Sequence, residues 1–138
     1  MLKKINLQVN TDPAASAQVL SWFEELNQPP ISNKVIWWQC QTVLKEGFDN
    51  AVEYAHKSLP PETPILIEAI RFPQRIEIRI WDCGVPFNLE EKLREMPELE
   101  ENEGSRGRGL RIMQKIADQI SYRRTSDDRN CLLIVKSY

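Results

Sequence analysis

Glycine is concentrated in two short stretches of this chain, and this distribution restricts where its backbone can turn tightly or approach another group. Four of the five glycines lie there. The first stretch is Asp82-Cys83-Gly84-Val85-Pro86-Phe87, and the second is Gly104-Ser105-Arg106-Gly107-Arg108-Gly109-Leu110. Because glycine has no Cβ, it permits sharp turns and close contact with a ligand. The fold must therefore place both stretches where the backbone is tightly constrained.

Size and composition indicate a single globular domain covering residues 1–138. A chain of 138 residues with 41% hydrophobic side chains can bury one core. Its formal net charge of -2 gives no general attraction to nucleic acid or anionic lipid, so we expect neither partner and expect phosphate binding to be local. The sequence contains no segment that resembles a signal peptide or a membrane span, which predicts a cytoplasmic protein.

The cysteines and the single histidine indicate neither a disulfide framework nor a metal cluster. Cys40, Cys83 and Cys131 are odd in number, far apart and without CxxC spacing, so we expect reduced thiols. His56 is the only histidine and falls near the end of a predicted helix, where we expect it at the surface.

Hydrophobic periodicity predicts five strands and three helices. Alternation of apolar and polar residues is typical of half-buried strands, and apolar residues at intervals of three and four are typical of amphipathic helices. The predicted strands cover 2–9, 65–72, 75–82, 119–125 and 130–136, with a hairpin turn at Pro73-Gln74. The predicted helices cover 13–26, capped by Asp12, then 32–59 with Asn33 near its start, and about 110–117.

This order of elements predicts an α+β fold, with two layers and helices on one face of a mainly antiparallel sheet. It does not fit a doubly wound nucleotide-binding fold, in which strands and helices alternate. One segment, 88–106, has few apolar residues and is expected to form a loop or lid. Its seven glutamates are Glu90, Glu91, Glu95, Glu98, Glu100, Glu101 and Glu103.

Asp82 is predicted to point inward from the end of a strand. Period two places it in the same row as Ile76, Ile78 and Ile80. A buried carboxylate requires hydrogen-bond donors, and the 6-amino group of an adenine would be suitable. Gly84 would then let the chain turn beneath the base. The alternative is that Asp82 only caps an ordinary turn through Gly84, and the strand register does not decide between the two.

Phe87 and the second glycine stretch complete the candidate nucleotide site. Phe87, with Val85 and Pro86, would form a wall of the base pocket. Gly107-Arg108-Gly109-Leu110 opens a predicted helix, where free backbone N–H groups and the helix dipole favour phosphate. Arg106 and Arg108 add positive charge there. The alternative is a glycine loop that starts a helix for steric reasons alone.

Glu46 and Asn50 lie four residues apart on the long predicted helix and so share one face. The amide oxygen of Asn50 is a suitable ligand for Mg²⁺, and Glu46 is a candidate general base. Each residue taken alone is more typical of a solvated helix face. Gly47 argues for a packed face, because glycine inside a helix costs about 1 kcal/mol relative to alanine.

The four tryptophans, Trp22, Trp37, Trp38 and Trp81, are expected in the core or at a partner interface. The chain has no basic stripe that would accompany base stacking. Exposure of Trp37 or Trp38 would favour a protein partner. A homodimer is one such arrangement that the sequence leaves open.

Three motifs together resemble the ATP-binding boxes of the GHKL superfamily, which contains gyrase, heat-shock chaperone ATPases, histidine kinases and mismatch-repair ATPases. The motifs are Glu46-x-x-x-Asn50-Ala51, Asp82-x-Gly84-x-x-Phe87-Asn88 and Gly107-x-Gly109-Leu110. The short chain, without phosphoacceptor helices, is most similar to the anti-sigma-factor serine kinases. Gly47, Asn88 and the acidic segment 88–106 depart from the pattern.

The resemblance implies a Bergerat-type α/β sandwich that binds ATP and Mg²⁺. Asn50 would hold Mg²⁺, Asp82 and Gly84 would recognise adenine, and residues 107–110 would follow the phosphates under a lid formed by 88–106. The ATP-binding set on this resemblance is Asn50, Asp82, Gly84, Phe87, Gly104, Arg106, Gly107, Arg108, Gly109 and Leu110.

By the same resemblance, Glu46 would be the catalytic base toward a serine of a small anti-sigma antagonist protein. Phosphorylation would release that antagonist, and the kinase would then hold a sigma factor inactive. Two alternatives remain open at this point. The chain would be either a non-catalytic module in which ATP controls partner binding, or a stand-alone ATP-binding domain of the histidine-kinase type.

Overall fold

A single five-stranded sheet forms one layer of the protein, whose computed structural model describes residues 2–89, 91 and 108–138. The strand order is β1-β2-β3-β5-β4, and all four pairings are antiparallel. The predicted hairpin between β2 and β3 is confirmed. The strands are β1 (Lys3–Asn10), β2 (Pro64–Arg71), β3 (Arg75–Asp82), β4 (Gln119–Arg124) and β5 (Asn130–Ser137).

The second layer contains the α-helices that the described residues outline in full, α1 (Ser16–Phe23), α2 (Lys34–Asn50) and α3 (Arg108–Ile116). The predicted cap Asp12 is present, and Asn33, predicted only to lie near the start of α2, caps that helix. Asp12 accepts a hydrogen bond from the backbone N–H of Ala14 at 2.9 Å, and Asn33 accepts from the first turn of α2. The predicted α+β sandwich is therefore confirmed. No helix in the described ranges is both long and apolar enough to span a membrane.

The core lies between the sheet and α2. The inward row of β3, Ile76, Ile78 and Ile80, is fully buried, whereas Glu77 and Arg79 on the opposite face are partly exposed. Gly47 of α2 packs directly on this row. A Cβ built there would lie 2.7 Å from Cδ1 of Ile80, which accounts for glycine inside the helix. Helix and sheet thus approach more closely than alanine would allow without a shift of Ile80.

The end of α2 differs from the prediction of a helix continuing to about residue 59. The α-helix stops at Asn50 and is followed by a π-helical turn, Ala51–Ala55. The chain then turns back, and Pro61 accepts a hydrogen bond from the backbone N–H of Thr11 at 2.9 Å. After this early ending, His56 reaches the end of β3, where the first glycine stretch begins.

The predicted lid falls largely outside the described residues. Of segment 88–106, the structure describes 88, 89 and 91. Gly104, Arg106 and Gly107 also lie outside the described part, as does the side chain of Arg108.

Candidate functional site

Asp82 lies at the end of β3, the central strand, and is 2% exposed, so its predicted inward orientation is confirmed. The protein itself supplies three donors. Oδ1 accepts from the backbone N–H of Gly84 at 2.9 Å and from Nδ2 of Asn130 at 2.8 Å, and Oδ2 accepts from the hydroxyl of Tyr122 at 3.0 Å. The turn cap through Gly84 is therefore real. A carboxylate has about four acceptor positions, so Oδ2 retains capacity for one more donor.

Tyr122 and Asn130 belong to this site and were not anticipated from the sequence. Asn130 is fully buried opposite Asp82 in the β3–β5 pairing, and its Nδ2 also donates to the carbonyl of Gly84 at 2.9 Å. Burial, reinforced by the charge of Asp82, raises the pKa of the Tyr122 phenol, which therefore stays protonated as a donor. The one sequence signal for Asn130 would have been its polar side chain at the position of β5 that pairs with Asp82.

The protein's own backbone approaches Gly84 too closely for a side chain. A Cβ built at Gly84 would overlap the carbonyl oxygen of Ala55 and lie 2.9 Å from its carbonyl carbon. The last carbonyl group of the π-helical turn is thus in direct contact with the loop that follows β3. This contact fixes the position of the loop relative to α2, which carries Glu46 and Asn50.

His56 is buried at 1% exposure, and the expectation of a surface histidine is wrong. Its Nδ1 lies 2.7 Å from the hydroxyl of Thr11, and its Nε2 accepts from the backbone N–H of Cys83 at 2.8 Å. Because both ring nitrogens have partners, the ring can be buried without leaving polar atoms unsatisfied. The turn after α2, which helical periodicity did not predict, brings it there.

A cavity of about 520 Å³ opens between the π-helical turn and the loop after β3. One side is formed by Asn50, Tyr54 and residues 57–59, the other by residues 83–87, with Arg124 at one end. Gly84 lines the cavity, and its backbone N–H donates to the carboxylate of Asp82. The ring of Phe87 stacks on that of Tyr122 at 4.4 Å, so it forms part of the wall, whereas Val85 is 85% exposed at the rim.

Arg124 adds positive charge to this cavity and was also missed. It donates to the carbonyl of Gly84 and to Oδ1 of Asn130, both at 3.3 Å. Its guanidinium lies 4.0 Å from the exposed carboxylate of Asp128. A cation at the mouth of a cavity of this kind favours an anionic ligand.

Asn50 has the properties of a cation ligand in this cavity. It is 7% exposed, and its amide forms no hydrogen bond with another residue of the described part of the chain. An amide oxygen held at a cavity wall suits Mg²⁺, which usually takes few protein ligands together with phosphate oxygens and water. Within the described ranges, no group of three or more His, Cys, Asp or Glu side chains is arranged to hold a metal.

Glu46 lies beside the start of α3. A Cβ built at Gly109 would be 2.7 Å from Oε2 of Glu46, so glycine is what allows this approach. Gly109, at the start of α3, therefore reaches the face of α2 that carries Glu46. The side chain of Leu110 is buried in the core at 3% exposure and anchors α3, so only its backbone is available to a ligand.

The domain is an antiparallel sheet with a layer of helices, and the cavity opens beside the end of β3. Residues 9–136 match the family model described as the histidine kinase-like ATPase domain. The chain belongs to this family, and the superfamily resemblance carried by the three motifs is thereby confirmed. Membership implies an ATP-binding domain.

A solved structure supports the same fold. The crystal structure of the SiaB-SiaC complex from Pseudomonas aeruginosa contains a chain that superposes with a TM-score of 0.65. The match has 9% sequence identity and covers 97% of this chain and 89% of the other. A search of curated proteins gave no significant match.

Proposed function

We propose that this protein is an ATP- and Mg²⁺-dependent serine kinase that is also an anti-sigma regulatory factor. It phosphorylates a small antagonist protein and, when free of it, sequesters a sigma factor. The observation that supports nucleotide binding is the buried carboxylate of Asp82, which accepts a hydrogen bond from Gly84, a residue that lines a cavity of about 520 Å³. Cavities of roughly 300–1,000 Å³ are typical of small-molecule sites.

The base of ATP enters between the π-helical turn and residues 83–87. Its 6-amino group donates to the remaining acceptor position of Oδ2 of Asp82, and the ring of Phe87 covers one side. The phosphates extend along α2 toward the start of α3, where backbone N–H groups favour negative charge. Asn50 would hold Mg²⁺, which neutralises phosphate charge when bound.

Glu46 would act as the general base toward the serine hydroxyl of the substrate protein. It accepts the hydroxyl proton while the serine oxygen bonds to the γ-phosphorus and the bond from that phosphorus to the β–γ bridging oxygen breaks, releasing ADP. The proximity of Glu46 to Gly109 supports this role, because it places the carboxylate where the second glycine stretch meets α2. Positioning supplies much of the rate in this class of reaction.

Trp38 is the best candidate for a partner contact. Its side chain is 59% exposed, and that of Val35, on the same face of the helix, is 62% exposed. Trp37 is instead buried, with its ring stacked on Phe23 at 4.7 Å. Large exposed aromatic side chains are typical of the centres of protein interfaces. The related fold in the SiaB-SiaC complex, a structure of two proteins, supports a protein partner.

Glu46→Gln is expected to lower the rate of phosphoryl transfer about 1,000-fold, the usual scale for losing a general base. The ATP dissociation constant should change less than about threefold, because Glu46 does not contact the adenine ring. Transfer is measured as acid-stable phosphate on a candidate antagonist, which also excludes phosphohistidine. Asp49→Asn is the matched control, since Asp49 lies on the same helix and pairs with Lys45 at 2.6 Å. Unchanged transfer by the Glu46 variant would contradict its role, and ATP-dependent partner binding without any transfer would favour the switch module.

Trp38→Ala is expected to weaken binding of the antagonist or sigma factor about 30-fold, which is the effect of losing an interface anchor. The free energy of unfolding should change by less than about 0.5 kcal/mol, because the side chain is mostly exposed. Leu2→Ala is the control, as Leu2 is 58% exposed elsewhere. Equal partner affinity in both variants would exclude Trp38 from the interface.

A further inference from the structure

His56 connects three segments of the chain by hydrogen bonds. The backbone N–H of Cys83 donates to Nε2, so this nitrogen carries no proton, and the proton of the neutral ring is on Nδ1. Nδ1 donates to the hydroxyl of Thr11 at 2.7 Å, and that hydroxyl donates to the carbonyl of Thr63 at 2.7 Å. The network thus fixes one tautomer.

The hydrogen bond between Cys83 and His56 lies next to the residues proposed to recognise adenine. Cys83 lies between Asp82, the carboxylate proposed to accept from adenine, and Gly84, which lines the cavity and donates to that carboxylate. Two consecutive residues at the end of the π-helical turn contact this loop. The carbonyl of Ala55 packs against Gly84, and His56 accepts a hydrogen bond from Cys83. His56 does not line the cavity, so it acts through the loop and not on the ligand.

We propose that His56 is a positioning residue of the nucleotide site, which as a neutral imidazole holds the Cys83 N–H and so fixes the turn through Gly84 in its adenine-binding conformation. This inference rests on the proposed nucleotide binding. A protonated ring would present a second N–H at Nε2 to the N–H of Cys83, and the loop would lose its acceptor. Nucleotide affinity should therefore depend on the charge of a residue that does not touch the nucleotide.

The surroundings of the ring favour its neutral form. Charged groups stand on the segments packed around it: Asp12 beside Thr11, Lys57 on its own segment, Glu62 beside Thr63, and Asp82 at the end of β3. Burial lowers the pKa of His56 below its ordinary value of 6.5, and the charge of Asp82 opposes this shift only in part. The stabilising bond is thus complete above about pH 6.5 and is lost as pH falls from there through the lowered pKa.

Isothermal titration with ATP and Mg²⁺ between pH 8 and pH 5 tests the proposal. Wild-type affinity should fall more than that of His56→Gln as the His56 ring takes up its second proton, by about tenfold once that protonation is complete, since about tenfold corresponds to one net hydrogen bond. Glutamine offers an oxygen to the Cys83 N–H but does not titrate, and the comparison cancels the titration of ATP itself. At pH 8 the ATP affinity of the glutamine variant should lie within about threefold of that of the wild type, because the glutamine oxygen replaces the ring nitrogen as acceptor for the Cys83 N–H.

Thr11→Val provides a second variant, because it removes the hydroxyl that fixes the tautomer while leaving the ring. It should weaken ATP binding at pH 8 about fivefold, whereas Thr42→Val should not, since the Thr42 hydroxyl bonds only within α2, to Trp38. Nitrogen-15 spectra of the ligand-free protein should show His56 protonated at Nδ1 alone near pH 7.

The outcomes separate the two proposals. Parallel affinity profiles for the wild type and His56→Gln through the pH range in which nitrogen-15 spectra show the His56 ring becoming charged, or a proton on Nε2 near pH 7, would overturn the role of His56 while leaving nucleotide binding intact. Failure of every form to bind ATP at pH 8 would overturn the nucleotide site and this inference with it.

Discussion

Replacement of Gly84 by alanine is expected to destabilise the protein by about 3 kcal/mol, the upper part of the range for overpacking a buried position. The new methyl group would overlap the carbonyl of Ala55, which is backbone and cannot rotate away. The loop after β3 would have to move, which would also disturb the Cys83 bond to His56. The free energy of unfolding is measured by urea denaturation, and ATP binding is measured on the folded fraction.

Gly47→Ala is the matched control, because it adds the same methyl group at another buried glycine. Its nearest neighbours are the ends of side chains, Cδ1 of Ile80 at 2.7 Å and Cδ2 of Leu132 at 3.3 Å, which can shift. The better helix propensity of alanine offsets part of the cost, and we expect a net change below about 1 kcal/mol. Equal stability of the two variants would contradict the assignment of a backbone contact at Gly84.

Asp82→Asn is expected to weaken ATP binding about 100-fold, the effect of losing a hydrogen bond to a charged group. The amide keeps one oxygen for Gly84 and Asn130, and the Tyr122 hydroxyl can rotate to accept from the new NH₂. The variant should therefore stay folded, with a loss of stability of about 1–2 kcal/mol. Titration calorimetry together with urea denaturation distinguishes the two effects.

Tyr122→Phe removes one donor from the same carboxylate and leaves its charge, so its ATP affinity should stay within about tenfold of the wild type. The wild type should also prefer ATP over GTP, because guanine carries an oxygen acceptor where adenine carries the 6-amino donor. Wild-type ATP affinity in the asparagine variant, or equal affinity for the two nucleotides, would contradict adenine recognition by Asp82.

Local sequence patterns were sufficient for the strands and for the orientation of Asp82. Alternation in β3 places every second residue in the core, and the carboxylate follows the isoleucines by the same period. The close packing at Gly47 was likewise predictable, since glycine inside a helix is unfavourable unless a neighbour comes close. These inferences depend on residues that are near one another in the chain.

The partners of Asp82 and the burial of His56 could not be predicted in this way. Tyr122 and Asn130 lie 40 and 48 residues from Asp82, and only the pairing of β5 with β3 and β4 brings them to it. His56 was misplaced because helical periodicity was continued through a π-helical turn, which ends the α-helical spacing at Asn50. The reason for glycine at position 84 was missed with it, because Ala55 belongs to that turn.

Because β3 lies at the centre of the sheet, the affinity for a ligand depends on whether the strands on both sides of it have formed. Two of the three donors to Asp82 come from the last two strands of the chain, so a form in which those strands are detached would expose an uncompensated carboxylate. Any molecule recognised by Asp82 therefore selects the fully assembled sheet, and by mass action it shifts the population away from partly folded forms.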